Sequence, residues 1–155
     1  MTDWAPAAGD RARRARARLY RDIRHFLDER DVLEVETPTL ASHGVTDPNI
    51  ECMPVSGAGF LQSSPEYHMK RLLAAGAGPI YQIARVFRAG EQGRRHNPEF
   101  TLLEWYRPGY ALTELMDECL RLLERLLDTQ GRVHWRYRQL FQHELGLDPL
   151  TADTA

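Results

Sequence analysis

Two stretches of strict alternation stand out along the chain. From Ile80 to Arg88, the positions Ile80, Gln82, Ala84, Val86 and Arg88 share one face, and Tyr81, Ile83, Arg85 and Phe87 the other. From Phe100 to Tyr106 the period of two resumes, with Phe100, Leu102, Glu104 and Tyr106 opposing Thr101, Leu103 and Trp105. The pattern predicts two strands joined by a hairpin loop, Ala89 to Glu99. Elsewhere the period is helical. Leu19, Tyr20, Ile23, Phe26 and Leu27 predict a helix from Asp10 to about Arg30, with Asp10 as its N-cap. A second amphipathic helix, Thr113 to Asp128, carries an apolar stripe that includes Leu115, Met116, Cys119, Leu122 and Leu126 and reads as core or interface.

Weaker signals fill the gaps. Val32 to Val35 predicts a short strand stopped at Thr37-Pro38, since proline removes a ladder donor. Ala41 to Asn49 is a loop, and Ile50 to Val55 a strand interrupted by Pro54. Ser63-Ser64-Pro65-Glu66 reads as a helix start. Either Ser64 caps with Pro65 at the first helical position, or Ser63 forms a capping box with Glu66. Met69, Leu72 and Leu73 pack this helix, and Gly76 and Gly78 end it. Val133, Trp135 and Tyr137 alternate as a brief strand, followed by a helix from Gln139 to Leu145 ending at Gly146. Residues 1–9 are expected to be a flexible tail. The class is α+β.

Size and charge narrow the picture only slightly. A chain of 155 residues, 43% hydrophobic with a net charge of −2, reads as one soluble domain with a real core and not as a general nucleic-acid binder. Charge is nevertheless uneven, because eight of the 20 basic residues lie in the first thirty positions. That arginine run suits an acidic partner or RNA, and equally a solvated helix face. Cys52 and Cys119 have no pairing or metal spacing, so a reducing cytoplasm is expected. The six histidines lack ligand spacing, so no metal site is expected. No apolar run of about 18 residues and no signal core is present, and no membrane partner is expected.

The hairpin loop holds Gly90, Gly93, two adjacent arginines, His96 and Asn97-Pro98, more charge and hydrogen-bonding capacity than a turn requires. The run FRAGEQGRRHNPEFTLLEWY closely resembles motif 2 of class II aminoacyl-tRNA synthetases, in the version of the lysine-specific branch. With SSPEYHMKRLL upstream and EFTLLEWYRPGY, the chain is similar to the short lysyl-tRNA synthetase paralogues that modify elongation factor P, roughly over residues 18 to 150. FLDERDVLEVETPTL resembles motif 1, the dimer-forming element, which implies a homodimer. The resemblance implies an antiparallel sheet flanked by helices, incomplete at its C-terminus. The family's third motif, a glycine-rich strand and helix with an ATP-clamping arginine, is not in the sequence. Residues 10–155 are then expected to be the N-terminal part of a catalytic domain, inactive alone.

The same resemblance implies chemistry: ATP-dependent activation of lysine or (R)-β-lysine as an aminoacyl-adenylate, then transfer to a lysine side chain of elongation factor P. Arg88 falls on the catalytic arginine that holds the α-phosphate and substrate carboxylate, a task suited to a permanent forked cation. Phe100 falls where adenine stacks, and His96 and Asn97 where the loop meets ATP. The family's acid two residues after the arginine is Gly90 here, so either Glu91 or the Gly90 backbone is expected at the adenine amino group. Ser64, Pro65 and Glu66 fall on the α-ammonium site, and Glu104 and Tyr106 on the side-chain ammonium. Mg2+ is expected to arrive with ATP. Transfer RNA is not the expected acceptor, because little chain precedes the motif 1 segment. The alternatives are a catalytic-domain fragment of lysyl-tRNA synthetase and a non-catalytic dimerising or RNA-binding module.

Overall fold

The computed structural model describes residues 4–127, 129, 131 and 133–153. The first three tail positions, the expected helix end at Asp128 and the last two residues lie outside the described residues. The elements run α1 (Asp10–Asp28), β1 (Leu33–Glu34), β2 (Leu40–Ala41), β3 (Met53–Val55), β4 (Gly59–Leu61) and α2 (Glu66–Ala74). Then come β5 (Ile80–Phe87), β6 (Glu99–Tyr106), α3 (Leu112–Leu127) and α4 (Tyr137–Leu145). The content is α+β, as expected.

β5 and β6 form the predicted antiparallel hairpin, in register from Ile80 opposite Tyr106 to Phe87 opposite Glu99. The period of two sorts their side chains between two packed layers. Tyr81 joins Ile23, Phe26 and Leu27 of α1, Val32, and Leu122 of α3 in a core that Ile83, Leu103 and Trp105 also pack against. Ile80, Ala84 and Val86, on the other face, are buried as well, as is Met69 of α2. β5 is therefore covered on both sides and is the central strand.

The expectation of an antiparallel sheet needs one correction. β1 pairs with β5 in parallel, Leu33 opposite Ile80 and Glu34 opposite Tyr81, giving the order β1-β5-β6. Parallel pairing requires a long crossover, and the segment between them supplies it with α2 and a second, antiparallel sheet in the order β2-β4-β3. That small sheet closes tightly at Gly59. Its φ is +130°, and a Cβ there would lie 2.2 Å from the Ala41 carbonyl oxygen, so only glycine fits. The sheet is tied to the hairpin through the Phe87 N–H, which donates to the Gln62 carbonyl at 2.9 Å.

Three local expectations are also revised. Gly9, not Asp10, is the α1 N-cap; the Asp10 carboxylate is drawn instead to Arg14, one turn on, at 2.6 Å. Ser63 is buried and forms no capping box, and Pro65 stands at the N-cap of α2, one position before the first helical residue. Val133, Trp135 and Tyr137 form no strand. Among the described residues no strand pairs with this segment, Val133 and Trp135 are exposed, and Tyr137 opens α4. On α3, Leu122 is buried, while Leu112, Met116, Leu123 and Leu127 are exposed. One turn before Leu122 the same face buries a carboxylate, Glu118.

Candidate active site

The α2-side face of the hairpin carries the residues singled out in the sequence, in two groups. The first centres on Glu104, in the middle of β6. Its Oε1 accepts the Tyr106 hydroxyl at 2.6 Å, and its Oε2 accepts the Ser64 hydroxyl at 2.7 Å. Tyr106 reaches it because residues two apart on a strand share a face. Ser64 reaches it because α2 begins directly over this part of the sheet. The Ser64 oxygen also accepts the Glu66 N–H at 3.0 Å, so one hydroxyl satisfies an orphan donor at the helix start and binds the carboxylate. Burial, reinforced by the Glu104 hydrogen bond, pushes the Tyr106 phenol well above its usual range and keeps it protonated. A carboxylate flanked by two hydroxyl oxygens offers a cation one counter-charge and two further acceptors.

Glu66 sits at the same helix start but points its carboxylate to Lys70, one turn along, at 2.5 Å. This ion pair raises the Lys70 pKa. Both side chains are largely solvent-exposed, so the pair is an i,i+4 surface contact of small energetic weight that a ligand ammonium could displace. Pro65 is buried and holds the turn between Ser64 and Glu66.

The second group lies toward the hairpin loop. Arg88, Glu91, Arg95, His96, Asn97 and Phe100 line a recess of about 290 Å3. The Arg88 guanidinium stands 5.1 Å from the Phe100 ring centroid and 3.6 Å from Glu91. Its Nε is buried without a hydrogen-bond partner. A buried donor left unmade is costly and marks a place for an acceptor. Gly90 holds φ +75°, and its missing Cβ would stand 3.5 Å from Oε2 of Glu51. Glu91, one of the two expected partners for adenine, is turned toward Arg88 instead. Gly93 and His96 pair with each other's backbone, closing the loop tip into a tight turn around Arg94 and Arg95.

Phe100 and Glu104 stand four positions apart on β6, about 13 Å of strand. An aromatic face and an arginine thus stand at one end of a shallow track, and an acidic, hydroxyl-lined subsite at the other. Such a track fits an elongated ligand with a flat ring, an anionic centre and a cationic end. Among the described residues no cluster of three or more His, Cys, Asp or Glu could hold a metal ion. A Mg2+ ion arriving with ATP would need few protein ligands, because it keeps several waters and is bound largely through the phosphates. No helix of the described residues is long and apolar enough to cross a membrane.

Two participants escaped the sequence reading. Arg95 lines the recess, and the only signal for it was its place in the loop's pair of adjacent arginines. Glu118 supports the track from behind: it accepts the Trp105 indole N–H at 3.1 Å and lies 3.4 Å from the Arg107 Nε. Its sole sequence signal is a charge on the face of α3 that carries Leu115 and Leu122.

Comparison with known proteins gives a consistent set of relatives. The family described as class II tRNA synthetases (D, K and N) matches residues 7–142. The elongation factor P--(R)-beta-lysine ligase of Pasteurella multocida is 46% identical over 162 residues, covering 99% of this chain and 50% of that protein. The proteins of the same name from Mannheimia succiniciproducens and Enterobacter sp. are each 48% identical, covering 98% and 97% of this chain. The chain spans about half the length of these relatives, 50% and 49% respectively.

Proposed function

The chain belongs to the class II tRNA synthetase family, and from that premise we propose that it forms the motif 1 and motif 2 part of an enzyme that adenylates lysine or (R)-β-lysine with ATP and transfers it to a lysine side chain of elongation factor P. The observation that carries this reading is Glu104, held by Tyr106 and Ser64 on the same sheet face as Arg88 and Phe100. The track matches a lysyl-adenylate end for end: adenine on Phe100, the phosphate at Arg88, the side-chain ammonium at Glu104. The names of the relatives support the same substrate and acceptor.

In the first step a carboxylate oxygen of the amino acid attacks the α-phosphorus of ATP, and the bond to pyrophosphate breaks. In the second, the amine of the acceptor lysine attacks the acyl carbon; AMP leaves and the amine loses its proton to solvent. The protein's work is placement and charge. Arg88 hydrogen-bonds both the α-phosphate and the attacking carboxylate, drawing them together as charge builds on phosphorus. Glu104 fixes the far end of the amino acid, so the attack angle is set by two anchors rather than one. The expected homodimer belongs to the same proposal: β1 lies at an edge of the sheet and leaves Leu33 exposed.

The test is a competition assay. The protein from its complete reading frame is given ATP, radiolabelled lysine or β-lysine, elongation factor P and lysine transfer RNA together. Label is expected on elongation factor P. Preferential label on transfer RNA would instead make the chain part of a lysyl-tRNA synthetase, and no adenylate at all would leave a non-catalytic module.

A further inference from the structure

One buried polar pair on the hairpin has no part in the scheme above. Gln82 lies in β5, on the same face as Ile80, Ala84 and Val86, and is buried with them. An amide sunk among apolar side chains is costly unless its polar atoms are used. The Thr37 hydroxyl, also buried, donates to Gln82 Oε1 at 2.8 Å. Thr37 follows β1, where the Val35 N–H still bonds the Tyr81 carbonyl, so it reaches Gln82 from the β1 side of the sheet. On the other side, Gln82 stands directly opposite Glu104 in the β5–β6 register. Opposed side chains on one face of an antiparallel pair start only about 5 Å apart at Cβ. With Oε1 committed to Thr37, the amide nitrogen is the atom left for the side that Glu104 occupies.

We propose that Gln82, locked by Thr37, is a positioning residue for Glu104 and thereby sets how tightly the cationic end of the amino acid is held. The inference rests on the adenylation reading and deepens its specificity. Tyr106 approaches Glu104 along β6 and Ser64 from the start of α2, which leaves the flank toward β5 to Gln82. The residue type suits that flank. A lysine or arginine there would pair with Glu104 and remove the counter-charge meant for the ligand, and a second carboxylate would repel it across the strands. An apolar side chain would exclude water from the carboxylate and offer no donor in return. An amide has two N–H donors and no charge, so it supports the carboxylate and leaves the subsite singly negative.

The test uses protein from the complete reading frame as wild type, Gln82→Met, Thr37→Val and Thr37→Ser, with circular dichroism to check folding. Lysine, (R)-β-lysine and ATP are titrated by calorimetry. Gln82→Met, close in shape, should weaken whichever amino acid the wild type binds better by about tenfold and leave ATP within about twofold, the loss expected for one hydrogen bond to a charged group. Thr37→Val should act in the same direction by about threefold, and Thr37→Ser, which keeps the hydroxyl, should restore wild-type binding. These two variants carry the test even where Gln82→Met fails to fold. In ATP–pyrophosphate exchange the change should fall on the KM for the amino acid more than on kcat. Gln82→Met should also add nothing to Glu104→Gln, because a residue acting through that carboxylate has no effect once it is gone. Unchanged amino-acid affinity overturns the inference, as do equal losses for amino acid and ATP, or a full Gln82→Met effect in the Glu104→Gln background. Wild-type protein that binds ATP but neither amino acid would defeat the adenylation reading itself, a result distinct from a failure of Gln82 alone.

Discussion

The hydroxyl of Ser64 donates a 2.7 Å hydrogen bond to Oε2 of Glu104, joining the start of α2 to the middle of β6 across 40 residues of sequence. The same oxygen accepts the Glu66 N–H, so the helix start and the acidic subsite cannot move independently. Ser64 is thus a helix-start residue and a positioning residue for Glu104 at once.

Separate readouts follow for the two partners. Ser64→Ala should weaken lysine by about 1.5–3 kcal/mol, as expected for loss of a hydrogen bond to a charged group, with partial rescue by Ser64→Thr. Glu104→Gln keeps the shape but removes the counter-charge, leaving the bound ammonium unpaired at a cost of about 3–5 kcal/mol. ATP affinity should stay almost unchanged in both. Calorimetric titration with each ligand decides; equal weakening of lysine and ATP would make these residues structural only.

Arg88→Ala should cut ATP–pyrophosphate exchange by about 10²–10³, the usual loss for one preorganised donor. The fold should survive, because Arg88 lies at the mouth of the loop and its ion-pair partner, Glu91, remains accessible to water. Exchange within about threefold of wild type, a small fraction of that expected loss, would remove Arg88 from the mechanism.

Glu118 tests the support behind the track. Its side chain is 4% exposed, it accepts the Trp105 N–H, and it faces Arg107, whose side chain is 8% exposed. Glu118→Ala leaves that guanidinium buried without its carboxylate, and should destabilise the protein by about 3–5 kcal/mol. Urea denaturation measures this directly. A loss under about 1 kcal/mol, the value of an exposed pair, would show that water reaches the site and the burial is not effective.

The acid limb of stability should carry a small contribution from Glu34. A hydrogen bond from Arg24, opposed by burial and aided by the Tyr81 hydroxyl, holds its carboxyl below the usual value of 4.5. The folded pKa is lower than the unfolded one, so the contribution is complete above 4.5 and is lost as pH falls through the folded value. Both side chains of the pair are more than a third exposed, so solvent screens it to below about 1 kcal/mol. Glu34→Gln should flatten this part of the denaturation midpoint plotted against pH. A curve that stays parallel to wild type through the acid range would count against it.

Much of this was legible in the chain itself. The alternation at 80–87 and 100–106 put Tyr81, Ile83, Leu103 and Trp105 on one face, and all four meet the core formed with α1 and α3, because a period of two is a local property of the backbone. The helical period did the same for Ile23, Phe26 and Leu27, all three of which are core. The loop chemistry from Arg88 to Phe100 was legible as a motif, and Arg88, Glu91, His96, Asn97 and Phe100, all singled out in the sequence, do share one recess. Other features depended on what the rest of the molecule brings alongside. The alternation at Val133 to Tyr137 resembles that of β6, yet among the described residues no strand pairs with it and none forms there. Nothing local to α3 marks Glu118, which gains its role only where Trp105 and Arg107 meet it in the folded chain. The Ser64 hydroxyl could have capped a helix in isolation; its bond to Glu104 exists only because α2 packs over β6. Periodicity and turn chemistry are set by neighbours a few residues away, whereas pairing, burial and the partner of a charge are set by segments that meet only once the chain has closed.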